Sequence, residues 1–205
     1  MTKCNCKKEE KTVHYITTRI QNSPCLAGLL RITDERYRKY FGNNFLAFMN
    51  SKEIINKIHD IVKGITYVKD IYVSEKNLIL DYVTIFAHSE SELIDLVNAG
   101  NDIGQQIDEH NGPIFKLKQP IIFHNGVLNF FRIRKPDPER PQIGCGDFKV
   151  AVYTSFKLKY LGAKNFELFH GEGFEFLGIH DMSQDYLVYF PDKVFSEDLK
   201  NTPTV

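Results

Sequence analysis

"DYVTIFAHSESELIDLVNAG", residues 81–100, changes its period halfway along. Over 82–88 apolar side chains fall on both alternations, as they do in a strand covered on both faces, and this places the segment centrally in a sheet. From Ser89 the spacing becomes helical. The Ser89 hydroxyl is placed to cap, Glu92 completes a capping box, and Leu93, Leu96, Val97, Ile103 and Ile107 supply a buried stripe that runs out near "EHNG". A central strand feeding directly into an amphipathic helix calls for a sheet with helices packed on it.

Towards the N-terminus, residues 51–63 read as a second main helix. Asn50 caps, Glu53 reaches back, Ile54, Ile58, Ile61 and Val62 share a face, and Gly64 stands where a left-handed stop is wanted. Strands are expected at about 65–73 and 78–87 around the turn "SEKN". Further upstream, "VHYITTRI" at 13–20 is a strand, 25–42 is partly helical, and the charged segment 1–12 is a disordered leader. Towards the C-terminus, strands are expected near 113–117, 120–124 and 127–134, the last two hinged at "HNG". A proline-rich loop at 134–146 precedes a strand at 147–154. A helical piece, "FKLKYLG", strands near 165–169, 173–179 and 185–190, and a tail at 193–205 complete the chain. The fold class is α+β, with a largely antiparallel sheet and two main helices. It forms one domain over 13–192 or two small fused modules meeting near 74–80 or 110–126.

Composition narrows the function. Lysine plus arginine equals aspartate plus glutamate at 26 each, so no global field draws in a nucleic acid or an anionic membrane. No run of about 18 apolar residues occurs, and the polar start "MTKCNCKKEEKT" is no signal peptide, which gives the expectation of a soluble cytoplasmic protein. Four cysteines in 205 residues are too few for a disulfide scaffold. Phosphate-cradling, dinucleotide-binding, nucleophile-elbow and paired C-x-x-C motifs are all missing.

Three fragments resemble vicinal-oxygen-chelate modules, the βαβββ units of glyoxalases and ring-cleaving dioxygenases. "VHYITTRI" resembles the opening strand, residues 81–100 resemble the strand, turn and helix, and "FKLKYLGAKNFEL" at 156–168 is similar to the helix that ends in Leu-Gly before the next strand. The resemblance implies paired βαβββ modules and a divalent metal held by a histidine near the start of the first strand, here His14. The acidic ligand that the family places late in the module finds no match.

The residues themselves nominate three places for chemistry. In "HGEGFEFLGIHD", residues 170–181, alternation stands His180 on an aromatic wall with Phe174 and Phe176. A turn at the glycines brings His170 near, Glu172 or Asp181 completes a mixed nitrogen and oxygen metal set, and His14 or His124 is a further candidate ligand. The plain reading of the same stretch is a hairpin with solvated polar groups. In "GCGDF", flanking glycines let a ligand approach Cys145, which with a histidine is the minimum for a nucleophilic thiolate. Arg132 and Arg134 project from one strand face as a clamp for carboxylate or phosphate, in part neutralised by Asp137 and Glu139. The resulting expectation is a small-ligand-binding protein, with His180 and Cys145 as catalytic candidates. If it is an enzyme, it is a metal-assisted lyase, isomerase or dioxygenase-like enzyme. The alternative is a non-catalytic interaction or regulatory module. A divalent metal is the cofactor left open, and a small molecule and a second copy of the chain are the partners left open.

Overall fold

The computed structural model describes residues 49–109 and 111–200. The leader, the strand at 13–20 with His14, the partly helical 25–42 and the cysteines at 4, 6 and 25 lie outside the described residues. The first element, α1 (Ser51–Tyr72), opens as its sequence requires: Asn50 Oδ1 accepts from the backbone N–H groups of Lys52 and Glu53 at 3.0 and 3.1 Å, and Glu53 accepts from the Asn50 N–H at 2.7 Å. It does not stop at Gly64. Ile54, Ile58, Ile61, Ile65 and Val68 form one buried stripe, so the expected strand at 65–73 is the second half of this helix. Burying that stripe outweighs the roughly 1 kcal/mol cost of a mid-helix glycine and the β preference of "ITYV". Gly64 also serves packing, because a Cβ there would lie 2.2 Å from the Tyr186 ring.

Two βαβββ units follow. The first is β1 (Ile79–Phe86), α2 (Glu90–Ile103), β2 (Gly104–Asp108), β3 (Ile114–Phe123) and β4 (Gly126–Arg134). The second is β5 (Gly144–Lys149), α3 (Tyr153–Tyr160), β6 (Phe166–Gly171), β7 (Phe174–Ile179) and β8 (Tyr186–Pro191). The eight strands form one sheet in the order β2-β3-β4-β1-β5-β8-β7-β6. Within each unit the first and last strands run parallel, β1 with β4 and β5 with β8, and every other pairing is antiparallel. The units join through β1 and β5 at the centre, and the chain passes between them over residues 135–143, not at 74–80 or 110–126. Residues 114–123 are one strand where two were expected. Its pairing with β4 slips between Lys116 and Ile121, the stretch that contains Pro120, which has no N–H to give the ladder. The expected tail contains a short helix, α4 (Phe195–Lys200).

The two faces of the sheet differ. Leu80, Val83, Ile85, Phe131, Phe148 and Val188 belong to the main core, which they share with α1. Gly144 and Gly146 lie on this face too: added Cβ atoms would stand 2.9 Å from Ile61 Cδ1 and 2.2 Å from Ile65 Cδ1. The glycines flanking Cys145 therefore let α1 settle on β5 and do not open a path for a ligand. Alternation sends Tyr82, Thr84, Arg132, Cys145, Asp147 and Tyr189 to the opposite face. None of the described helices is long and apolar enough to cross a membrane.

Candidate functional site: an arginine-lined aromatic hollow

That opposite face encloses a hollow of about 440 Å³. Its floor is built in rows across the sheet. Arg132, Thr84 and Cys145 pair in register across β4, β1 and β5, and Tyr82, Asp147 and Tyr189 do so across β1, β5 and β8. One wall is aromatic. The Phe169 and Phe176 rings stack at 5.1 Å, Tyr189 meets Phe176 edge-on at 5.2 Å, and Phe174, 43% exposed, continues the stack at the rim 5.9 Å from Phe176. The turn that aims this wall is Glu172–Gly173, where Gly173 has φ of +75°, a conformation that β-carbon-bearing residues rarely adopt. At the other end Phe195 lies 4.4 Å from the Tyr82 ring and closes the floor. A β-bulge between Leu80 and Tyr82 sets Asp81 beside it, and there Asp81 accepts from Ser196 and pairs with Lys149 at 3.0 Å, fixing the start of α4.

The charge lining the hollow is mainly positive. Arg132, Arg134, Arg140 and Lys193 contribute to it against Asp147 and Glu172. The Arg132 guanidinium carbon lies 5.3 Å from the Phe195 ring centroid and 5.7 Å from that of Tyr82, and Arg134 lies 5.4 Å over Phe86. Stacking holds the forks flat without using up their donors. The Nε atoms of both arginines, and the Tyr82 hydroxyl, are buried with no hydrogen-bond partner among the described residues. Arg134 gives one terminal nitrogen to Asp137 at 3.1 Å, so the expected neutralisation by that loop reaches Arg134. Glu139 instead donates its backbone N–H to Asp137.

Two groups on β5 are titrated by their surroundings. Burial pushes the Asp147 carboxyl up to about 7, helped by the nearby Asp81 charge and opposed by Arg132. What surface Asp147 keeps faces the hollow, so its water is confined. Burial likewise pushes the Cys145 thiol up to about 12, with Asp147 adding to it. At neutral pH this thiol keeps its proton. No hydrogen bond joins it to a histidine among the described residues, so the thiolate role expected for Cys145 has no support in its setting.

The histidines do not converge. His180 leans on Phe169, ring centroids 6.5 Å apart, and its Nδ1 lies 2.9 Å from Glu167 Oε2. His170 pairs in register with Glu175, one position out of step with Phe169 and Phe176, and so faces the other side of the sheet, 3.9 Å from a carboxylate that Lys157 holds at 2.6 Å. His124 is exposed in the β3–β4 turn. Asp181 accepts from the Tyr72 hydroxyl and from Ser183, which hold its carboxyl down at about 2. No group of three histidine, cysteine, aspartate or glutamate side chains able to hold a metal occurs among the described residues. The metal set expected from His124, His170, His180 and Asp181 is thus dispersed, and a further candidate, His14, lies outside the described residues.

Nor do the strands that the resemblance would use fit a cation. The first strands of the two units present Tyr82, Thr84 and Phe86, and Cys145 and Asp147, to the hollow. The last strands present Arg132 and Arg134, and Tyr189. Of the expected residues, Arg132, Arg134, Cys145, Phe174 and Phe176 share the hollow. Sequence reasoning missed Asp147, Tyr82 and Tyr189. The signal that could have found Asp147 is its place two residues after Cys145, on the same face of the same strand.

No family model matches the sequence, and no curated protein does. A solved structure described as "Structural Genomics, Protein EC4020" is similar, with a TM-score of 0.57 at 12% identity over 78% of this chain and 100% of that chain. At that identity the likeness is one of fold alone.

Proposed function

We propose that the paired βαβββ unit binds a small molecule in the hollow between its two halves. The observation that carries this reading is the coincidence, in one cavity, of an aromatic wall with buried donors that have no partner. Leaving a buried donor unpaired costs about 1–3 kcal/mol, a cost that a ligand acceptor removes. The hollow's size also lies in the range of small-molecule sites, about 300–1,000 Å³. Kinship with vicinal-oxygen-chelate modules is part of the proposal. The strand order supports it, as does the position of two of the three fragments, 81–100 at β1 and α2 and 156–168 at α3 and β6. A metal-assisted reaction is not, because the described side chains at the hollow do not form a ligand set for a divalent ion.

The test is a fluorescence titration with 8-anilinonaphthalene-1-sulfonate, which brightens in apolar sites. One saturable site is expected, weakened about fivefold by Phe176→Ala, in line with the roughly 1 kcal/mol of a lost aromatic contact, and unchanged by Ile94→Ser on α2. Absence of a saturable site, or equal effects of the two substitutions, contradicts the reading.

A further inference from the structure

We infer that the hollow is an oxyanion site, and that its ligand is a flat aromatic molecule carrying a carboxylate or phosphate that docks on Arg132 and Arg134. The inference rests on the reading of the hollow as a binding site and goes further, to the chemical class of what it holds.

Three observations converge on it. The first is charge. On the hollow side, the closing strand of the first unit presents two guanidinium groups and the closing strand of the second presents the Tyr189 hydroxyl, to which Arg140 donates at 3.4 Å. A cation entering here meets net repulsion, and an anion meets the planar donor forks that match carboxylate and phosphate oxygens two by two. The second is satisfaction. Arg132 Nε is a buried donor without an acceptor, and the guanidinium lies over the Tyr82 and Phe195 rings, so its plane is fixed before any ligand arrives. A donor held in this way loses little entropy on binding. The third is shape. The stacked wall of Phe169, Phe176 and Phe174 faces the same space and is open at Phe174, the natural berth for a ring whose charged end reaches the arginines.

Asp147 would oppose an anion if it were charged. It shares the β5 face with Cys145 and sits one row from Arg132, and the groups around it are Tyr82 and Asp81 on β1, Arg132 on β4, Lys149 on β5 and Tyr189 on β8. Burial raises its carboxyl to about 7, so below neutral pH it keeps its proton and is a donor to the ligand, and above neutral pH its charge opposes an anion.

The experiment is isothermal titration of the full chain with three probes that share one ring system: naphthalene-1-carboxylate, 1-naphthyl phosphate and neutral naphthalene-1-carboxamide. At least one of the two oxyanions is expected to bind about tenfold or more tighter than the amide, the ratio that a charge-assisted hydrogen bond of about 1.5 kcal/mol gives, and the tighter of the two names the head group. Arg132→Gln is expected to bring the oxyanions down to the amide while leaving the amide within about twofold. The comparison among probes on the unaltered protein keeps the test valid if that variant does not fold. Equal binding of oxyanions and amide to the unaltered protein overturns the oxyanion inference and leaves the hollow a binding site. Failure of all three to bind overturns both.

Discussion

Asp147 is the residue on which the chemistry of the hollow turns. A carboxyl raised from about 4 towards 7 binds its proton more tightly in the folded chain than in the unfolded one, so folding stability declines as pH rises through that window and levels off above it. Asp147→Asn removes this dependence. The variant is therefore expected to match the unaltered protein near pH 4 and to exceed it by pH 7.5, the gap growing by roughly 1 kcal/mol per pH unit up to about pH 7, a figure reduced for the water that reaches the hollow. Urea denaturation at several pH values reads it, and a gap independent of pH would show that Asp147 is an ordinary carboxylate. At this scale the sequence was legible where residue type alone carries chemistry. Of the residues that line the hollow, Arg132, Arg134, Phe174 and Phe176 were nominated from residue type, because guanidinium and ring have a chemistry of their own. Asp147, Tyr82 and Tyr189 were not, because what distinguishes them is their neighbours across three strands, and register between distant strands is not written in local spacing.

At the scale of elements, α1 decides how the two units meet. It lies on β5 because Gly144 and Gly146 present no side chain to it, and at Gly144 a Cβ would stand 2.5 Å from the Thr84 carbonyl oxygen on β1 as well as 2.9 Å from Ile61. Gly144→Ala is expected to cost about 1–3 kcal/mol in denaturant unfolding, since neither the β1 backbone nor the buried helix can give way cheaply. Unchanged or raised stability would mean that the helix does not bear on this strand. The same helix shows why local signals misled. Gly64 has the look of a stop and "ITYV" that of a strand, yet Ile61, Ile65 and Val68 continue the helical period. Capping at Asn50 and Ser89 was readable because a cap is a contact within four residues. The end of α1 was not, because it is set by contact with β5 and β8 some 80 to 120 positions later.

At the scale of the whole described unit, the two βαβββ halves make one sheet, and the hollow exists because that sheet runs unbroken through β1 and β5. The α+β class and the hairpin-rich pattern could be read from the sequence, and so could the central place of the strand at 82–88. The dispersal of the histidines could not, because it follows from the pairing register of the β6–β7 hairpin, which puts His170 and His180 on different faces where a metal site needs a common one. A ligand seated in the hollow would touch the floor strands of both halves. The most direct measurement is a set of amide nitrogen–proton correlation spectra of the ¹⁵N-labelled chain during addition of naphthalene-1-carboxylate. The predicted result is saturable shifts concentrated in β1, β4, β5, β7 and β8. Shifts centred on α1 and α2, or none in a folded protein at saturating probe, would contradict it.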